Sequence, residues 1–416
     1  MTTTKQTVRD LRRINRRIVL RQLYFDGSLS RLELSQRSGL SPSTVTNVVN
    51  ELLSEGIFVD SGLEESEGGR PRTILSVNSA YGYFIGVDVG ETEVKIELFD
   101  LMLHNQNIIE RFRNVTGNQV ELLVQNIIEG IKALLVKANL PQAKVIGVGI
   151  GVPGIVERSK EVTVSAPIWD WQPAPLTAML KKHLHLPFYV DNGAKAMALA
   201  EMWFGAGRGA ESLAVLLLGT GVGAGIIANG SLYRGITNSA GEWGHSTLQL
   251  DGKKCRCGSF GCLESYIGAP GIIQRFQELA PNNLLTQSDD QIAIITAIVE
   301  AAKQKDAAAL QVLKETAHYL GAGIGNLVNI FNPQRVILGG WTGLQIGEFI
   351  LPDLKKFIER YALKQPLKVM DFRLCELSMD SVCQGAAAIA LEDFLATAGK
   401  FAIAATLKTR ALSKAG

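Results

Sequence analysis

The chain has 416 residues, of which 46% are hydrophobic and 20% charged, and its formal net charge is +2. This composition is typical of an ordinary soluble globular protein, and the length leaves room for two or three domains. The sequence shows neither a signal peptide nor an apolar run long enough to span a bilayer. We therefore expect a cytoplasmic protein with no membrane partner.

The first predicted element is a helix over residues 7–25, where apolar residues recur at near-helical spacing. This N-terminal segment is rich in basic residues, against the single acidic Asp10. The basic positions are Lys5, Arg9, Arg12, Arg13, Arg16, Arg17 and Arg21. Such a stripe favours contact with a phosphate backbone, although alone it would indicate only a solvated helix face.

A helix pair is predicted over residues 30–56, with a bend at Gly39. Ser41 and Pro42 predict the start of the second helix, because a hydroxyl caps the first turn and proline fits where no donor is needed. The apolar stripe of this helix is Val45, Val48, Val49, Leu52 and Leu53. The predicted contacts to DNA are Ser41, Ser43, Thr44, Thr46 and Asn47, with Asn50 on the same face. An amphipathic surface helix is the alternative.

Two short strands, residues 57–59 and 73–77, flank a polar loop after this helix. They predict a β-wing, which makes residues 1–80 a winged helix-turn-helix domain with double-stranded DNA as its partner. Arg70 lies near the wing, from which a guanidinium can enter a narrow minor groove. A salt bridge within the linker is an equal alternative for this arginine.

From about residue 80 the pattern becomes α/β, and a strand followed by a glycine-rich turn occurs twice, at 83–90 and 213–225. This recurrence predicts two related lobes facing across a cleft, residues 81–195 and 196–416. Glycine turns of this kind cradle phosphates or simply close hairpins. The acidic side chains in and beside the first turn argue against phosphate; they are Asp88, Glu91 and Glu93.

Three of the five cysteines, Cys255, Cys257 and Cys262, are closely spaced and follow His245. In a chain without an export signal this favours a metal over disulfides. One imidazole and three thiolates fill a tetrahedral zinc shell, so we expect a structural Zn²⁺. Three free buried thiols are the alternative.

Two carboxylates, Glu242 and Glu264, bracket this cluster in the sequence. A metal that pins the loop would hold both near the imidazole, where they could accept hydrogen bonds from adjacent sugar hydroxyls. Surface salt bridges are the default interpretation of each.

Together these motifs resemble the ROK family (repressors, open reading frames, kinases), specifically its winged-helix regulators such as the xylose-, glucose- and N-acetylglucosamine-type repressors. The similarity runs over nearly the whole chain and rests on the helix pair, GGRP, GVDVGET, VGIGVPGIV, LGTGVGAGIIANGSLYRG, AGEWGH and CRCGSFGCLES. The resemblance implies an α/β fold with an N-terminal winged helix-turn-helix, followed by a two-lobed actin/hexokinase-like domain with a structural zinc. It places the monosaccharide contacts on Asn192, Glu242, His245 and Glu264, with His245 shared between zinc and sugar.

One departure from the family decides the expected function. The family's kinases read Glu-Asn-Asp-Ala, with the Asp as general base, where this chain has Asp191-Asn192-Gly193-Ala194. Glycine accepts no proton, and losing a general base costs about 10²- to 10⁴-fold in rate. A shifted register would offer Asp191 but lose the match at Glu201. Glu91 and Glu93 also replace the Gly and Lys of the kinases' first loop.

We therefore expect a sugar-responsive repressor of carbohydrate genes, acting as a homodimer or tetramer, with no enzymatic activity. One alternative is an active ATP-dependent sugar kinase that also binds DNA. Another is a DNA-binding protein whose zinc-bearing domain serves only dimerisation.

Overall fold

The computed structural model describes residues 7–64, 71–91, 93–113, 119–158, 162–166, 171–281, 283, 288–377 and 381–399. Its N-terminal part, which we call the head, spans residues 7–77 and has the order of elements predicted for a winged helix-turn-helix. The elements are α1 (Val8–Asp26), β1 (Leu29–Ser30), α2 (Arg31–Ser38), α3 (Pro42–Ser54), β2 (Phe58–Glu64) and β3 (Arg72–Val77). The three strands form an antiparallel sheet in the order β1-β3-β2.

The helices of the head begin at residues that satisfy their free amide groups. Thr7 and Asp10 form a capping box at α1, and Ser30 and Glu33 form one at α2. The chain turns between α2 and α3 at Gly39, whose φ of +68° lies in the left-handed region that glycine adopts without steric cost. The short-range sequence therefore determines where this helix pair starts and bends.

The first lobe is built on a five-stranded sheet in which three parallel strands adjoin an antiparallel hairpin. Its elements are β4 (Tyr83–Val89), β5 (Glu93–Asp100), β6 (Asn105–Arg113), α4 (Val120–Lys137), β7 (Val145–Val152), β8 (Ile155–Arg158), β9 (Val162–Ser165), α5 (Leu176–Lys181) and β10 (Phe188–Asn192). The sheet order is β10-β7-β4-β5-β6, and β8 and β9 form a separate hairpin.

The second lobe repeats this plan with a sheet in the order β13-β12-β11-β14-β15. The elements that complete the chain are α6 (Gly193–Phe204), β11 (Leu213–Leu218), β12 (Val222–Ala228), β13 (Ser231–Leu232), α7 (Glu264–Ile267), α8 (Ala269–Leu279), α9 (Gln291–Lys303), α10 (Ala307–Phe331), β14 (Arg335–Gly339), α11 (Trp341–Tyr361), α12 (Lys364–Leu367), β15 (Asp371–Leu374) and α13 (Ser381–Ala396). None of the described helices is both long enough and apolar enough to cross a membrane. In each lobe a hairpin is followed by a parallel strand, as the recurrent pattern predicts.

Helices α6 and α13 pack against each other, and α13 lies on the first-lobe sheet. Strand glycines permit this approach: a Cβ at Gly86 would lie 2.0 Å from the Cys383 carbonyl oxygen, and one at Gly149 would lie 1.7 Å from that of Ala386. The predicted boundary placed residues 196–416 together in the second lobe. The structure instead returns α13 to the first lobe, because its small residues fit the strand glycines.

The head shares a continuous hydrophobic core with the first lobe and with α6 and α13. The Tyr24 hydroxyl donates to the Leu101 carbonyl oxygen at 3.1 Å, and the rings of Phe25 and Trp203 meet edge to face with centroids 5.4 Å apart. The head is therefore docked on the body of the protein through packed side chains.

Candidate functional site

Helix α3 presents a polar surface that the rest of the head leaves uncovered. Ser41 caps the helix, because its Oγ accepts a hydrogen bond from the Thr44 amide at 3.2 Å. The apolar stripe packs inward, with Val45, Val48, Val49 and Leu52 buried. Of the predicted DNA contacts, Ser41, Ser43, Thr46 and Asn47 are exposed and Thr44 is half-buried. Arg70 lies outside the described residues.

Hydrogen bonding distinguishes Asn47 from the other polar side chains of α3. The Ser41 hydroxyl lies 3.0 Å from that of Ser43 and 2.9 Å from that of Thr44. The Thr46 hydroxyl donates to the Pro42 carbonyl oxygen at 2.8 Å. The side-chain carboxamide of Asn47 makes no hydrogen bond to another described residue. An exposed amide that offers both a donor and an acceptor suits bidentate recognition of adenine in a major groove.

Asn47→Ala should weaken operator binding by about 10- to 100-fold, because a bidentate amide–base contact is worth about 1–3 kcal/mol of discrimination. Fluorescence anisotropy with an operator duplex and a scrambled duplex measures the effect. Asn50→Ala should cost less, because the Asn50 Oδ1 accepts from Arg31 at 3.4 Å. Equal losses on both duplexes would contradict a role of Asn47 in base reading.

Most of the basic stripe on α1 is exposed, as expected for phosphate contact. The exposed members are Arg9, Arg12, Arg13, Arg17 and Arg21, whereas Lys5 lies outside the described residues. Arg16 departs from the prediction. Its side chain is 3% exposed, with Nη1 2.7 Å from Glu55 and Nε 2.7 Å from the Ala398 carbonyl oxygen. It is unavailable to DNA because α1 turns this position towards α3 and the end of α13.

The predicted metal ligands form one cluster. The donor atoms of His245, Cys255, Cys257 and Cys262 all lie within 4.8 Å of one another. Gly258 and Gly261 have φ values of +94° and +69°, which let the loop double back on itself. The cluster can therefore hold a metal ion.

The chemistry of these donors fits a soft dication. Cys255 and Cys262 are buried, and burial together with the neighbouring thiols raises the pKa of Cys262 to about 12. Thiols in such surroundings stay protonated unless a cation holds them as thiolates. Three sulfur donors and one imidazole nitrogen are the donor set of a structural tetrahedral site.

A cavity of about 550 Å³ lies between the lobes, where the strands of both sheets end. This volume falls within the range usual for small-molecule sites. The charged and polar residues that line it include Asp88, Glu91, Asn192, Thr220, Glu242, His245, Arg256, Glu264 and Ser381. The structure therefore brings the four predicted sugar contacts to one cavity beside the metal cluster.

Two of these four side chains are held firmly in place. The Asn192 Oδ1 caps α6 by accepting from the Ala194 amide at 2.9 Å, and its Nδ2 donates to the Gly154 carbonyl oxygen at 2.9 Å. Glu264 accepts from the Val222 amide at 2.9 Å. Burial raises the pKa of Glu242, although the nearby Lys195 and His245 act in the opposite direction. The cavity wall is thus preorganised around acceptor groups.

Asp191 is committed to a buried network that the sequence did not reveal. It is fully buried, and Arg158 Nη2 lies 2.8 Å from its Oδ2. Its Oδ1 accepts from the Asn238 side chain at 3.0 Å and from the Asn192 amide at 2.9 Å. The two side-chain partners, Arg158 and Asn238, lie 33 and 47 residues away in the sequence, so no spacing signalled them. With its oxygens so engaged, Asp191 is unsuited to act as a displaced general base.

Gly193 begins α6 and lines the cavity. A Cβ built there would lie 3.7 Å from Val382 Cγ1 and 4.0 Å from the Val152 carbonyl oxygen, which are ordinary contacts. The site therefore has room for a side chain that this chain lacks.

Sequence profiles of known families match both parts of the chain. A winged helix-turn-helix DNA-binding profile matches residues 12–59, and the ROK family profile matches residues 84–393. The chain belongs to the ROK family. Both the resemblance and the fold expected from the sequence are confirmed.

Among ROK relatives, a xylose repressor from Caldicellulosiruptor bescii is 33% identical over 390 residues, covering 92% of this chain and 97% of the relative. A solved ROK-family transcriptional regulator, described as a homologue of the Escherichia coli MLC protein, has a TM-score of 0.79 at 25% identity and covers 94% of this chain and 98% of its own. A ROK glucokinase from Streptomyces griseus, solved with glucose and AMPPNP, has a TM-score of 0.65 at 31% identity and covers 75% of this chain and 100% of its own.

The repressor matches extend over the head as well as the ROK domain. Together with the DNA-binding profile they show a sugar-responsive, DNA-binding repressor with a ROK sugar-binding domain. This confirms the function expected from the sequence and indicates a regulator rather than an enzyme.

Proposed function

We propose that this ROK-family repressor binds a monosaccharide in the cavity between its lobes and thereby changes its affinity for operator DNA. The observation that carries the proposal is the convergence of Asn192, Glu242, His245 and Glu264 on that cavity. Carboxylates in a buried site accept hydrogen bonds from the adjacent hydroxyls of a sugar. Xylose is the first ligand to test, because a relative of nearly the same length is a xylose repressor.

We also propose that His245, Cys255, Cys257 and Cys262 hold a structural Zn²⁺. The donor set supports this assignment, and so does the position of His245, which belongs to the cluster and also lines the cavity. When bound, the zinc would fix the ring orientation and tautomer of His245. The second ring nitrogen of His245 would then form a hydrogen bond with a sugar hydroxyl. The zinc would therefore stabilise the sugar site as well as the loop that carries its ligands.

The kinase reaction of the fold is, on this proposal, lost. Gly193 supplies no base, and the Asp191 oxygens are engaged by Arg158, Asn238 and the Asn192 amide. The same cavity that aligns substrates in kinases then serves only to recognise a ligand. A sensor must bind its sugar without converting it, and retained sugar contacts without a general base meet that requirement.

Gly193→Asp tests whether the missing base is the only defect. The variant should fold, because the position has room and an acidic residue is favourable at a helix N-terminus. We expect no ADP release with ATP and a panel of hexoses and pentoses, either before or after the substitution. Gly193→Asn is the matched control. Sugar-dependent ADP release by the unsubstituted protein would show that it is an active kinase, against the proposal.

Helices α6 and α13 connect the cavity to the head. Gly193 and Ser381, at the N-terminal ends of the two helices, line the cavity. At the other ends Trp203 meets Phe25 of the head, and the Ala398 carbonyl oxygen, just past α13, accepts from Arg16. We propose that a change in lobe closure reaches the head through these two helices. A sugar shifts this equilibrium only by its difference in affinity for the two arrangements.

We further propose that the repressor acts as a homodimer or tetramer on a near-palindromic operator. Two heads related by twofold symmetry would place their α3 helices in successive major grooves. The spacing of the heads then determines operator affinity, and closure of the lobes would alter that spacing.

Thermal-shift screening against monosaccharides is the first test of this function. A sugar that binds the folded protein raises its melting temperature by mass action, by an amount that grows with concentration. We expect a saturable increase with at least one pentose or hexose, and a loss of that increase in Glu242→Gln. No shift with any sugar would indicate a domain that serves only dimerisation.

A further inference from the structure

An ion pair crosses the cleft between the lobes. Arg256 lies between Cys255 and Cys257, in the loop of the predicted metal ligands. Its Nη1 lies 2.8 Å from the Oε2 of Glu91, which follows strand β4 of the first lobe. Its Nη2 donates to the carbonyl oxygen of Thr220 at 3.0 Å. A single guanidinium therefore connects both glycine turns, and both of its partners line the cavity.

The same groups border the second glycine turn. A Cβ built on Gly221 would lie 3.4 Å from Glu264 Oε2 and 3.8 Å from both Arg256 Nη2 and Glu91 Oε1. The amide of Val222 is already bonded to Glu264. A glycine turn binds phosphate through open space and outward amide groups. Here the carboxylates of Glu264 and Glu91 lie beside that position, where an anion would meet them.

The charge of the cavity also opposes an anion. Four carboxylates line it, those of Asp88, Glu91, Glu242 and Glu264, against the one guanidinium of Arg256. That guanidinium pairs with Glu91 and lies 3.6 Å from Glu264 Oε1. A phosphate monoester carries a charge of about −1.5 to −2 at pH 7. It would meet like charges in a partly buried site, with no uncommitted cation among the described residues that line the cavity.

We propose that the Glu91–Arg256 ion pair determines the specificity of the cavity by excluding phosphoryl groups, so that the repressor responds to an unphosphorylated sugar and to neither its phosphate ester nor a nucleotide. This inference rests on the proposed function, since it concerns the ligand of the same site. Glu91 holds the guanidinium that a phosphate would need and adds its own repulsion. The pair thus acts by repelling an anion and by engaging the guanidinium of the cavity.

The test compares matched ligands on the full-length protein and its variants. Dissociation constants are measured by calorimetry for glucose and glucose 6-phosphate, xylose and xylose 5-phosphate, N-acetylglucosamine and its 6-phosphate, and AMPPNP. In the unsubstituted protein we expect one free sugar to bind and its ester to bind at least about tenfold more weakly. We call the dissociation constant of the ester divided by that of the free sugar the ester ratio. Glu91→Gln should lower this ratio by about tenfold, because it removes one carboxylate and releases Arg256.

Two further variants isolate the ion pair. Glu93→Gln makes the same chemical change two residues away, where Glu93 pairs with Arg111 at 2.8 Å outside the cavity lining, and should leave the ratio unchanged. The double variant with Glu91→Gln and Arg256→Gln should lose the gain in affinity for the phosphate ester, since the released guanidinium of Arg256 is the group that would bind the phosphate.

The outcomes separate the inference from the function on which it rests. An ester that binds the unsubstituted protein as tightly as its free sugar would overturn the inference while leaving a sugar-responsive repressor intact. An unchanged ratio in Glu91→Gln would overturn the role of the ion pair. Binding of no sugar in either form would overturn the proposed function and this inference with it.

Discussion

Cys257→Ser should abolish the sugar response while operator binding persists. The variant removes one of four clustered donors, and a serine hydroxyl is a poor replacement for a thiolate on zinc. Structural zinc in small peptides contributes about 10–16 kcal/mol to folding, so the loop that carries Glu242, His245 and Glu264 should lose its order. The core of the head contains no residue of this loop, and therefore α3 should remain folded.

Three measurements on purified protein check this prediction. Metal content should fall from about one zinc per chain to none, as the four-ligand site requires. The sugar-induced rise in melting temperature should disappear, and operator affinity should no longer depend on sugar. The matched control is Cys375→Ser, outside the cluster, where a hydroxyl can replace the thiol as donor to the Leu377 carbonyl oxygen at 3.0 Å. A sugar response that survives in Cys257→Ser, or a metal-free unsubstituted protein, contradicts the account.

Arg16→Gln should leave a protein that binds both sugar and operator DNA but whose operator affinity no longer depends on sugar. The Arg16 side chain joins α1 to Glu51 and Glu55 near the end of α3 and to the Ala398 carbonyl oxygen. Breaking a buried ion pair is costly, but Glu55 is 40% exposed, so we expect a loss of only about 1–3 kcal/mol in stability. The larger effect should be on the coupling free energy between the sugar cavity and the DNA-binding head, which for two coupled sites is typically about 1–3 kcal/mol.

The measurement is operator affinity with and without a saturating sugar. In Arg16→Gln the ratio of the two affinities should approach one, although sugar still raises the melting temperature. Arg12→Gln is the control, because Arg12 also pairs with Glu51 but is exposed, and the hydrogen bond to the Ala398 carbonyl oxygen comes from Arg16. It should weaken DNA binding at every sugar concentration and leave the ratio intact. A normal ratio in Arg16→Gln would exclude this contact as a route between cavity and head.

The features that could be predicted from the sequence are those with short-range signals. The start of α3 at Ser41, the bend at Gly39 and the cysteine cluster each depend on residues that are near in the chain, where capping and metal-ligand spacing act. The family resemblance supplied the longer-range assignment of the sugar contacts, and their shared cavity is consistent with it.

The remaining features depend on partners that lie far apart in the chain. Arg16 and Ala398 are separated by 382 residues, and Arg256 and Glu91 by 165. No periodicity connects such positions, so Arg16 looked like one more member of a basic stripe. The packing of α13 on the first lobe was missed for a related reason. Its fit depends on strand glycines such as Gly149, which in the sequence only mark turns and strand ends.

The central claim is that one molecule couples a sugar in the interlobe cavity to DNA at α3. Its most direct test is an anisotropy titration of operator DNA with the full-length protein, repeated at increasing concentrations of a sugar that raises the melting temperature. We predict a saturable change in operator affinity of about 5- to 150-fold, the usual range for coupled sites. Operator affinity that stays constant while the sugar demonstrably binds would contradict the claim.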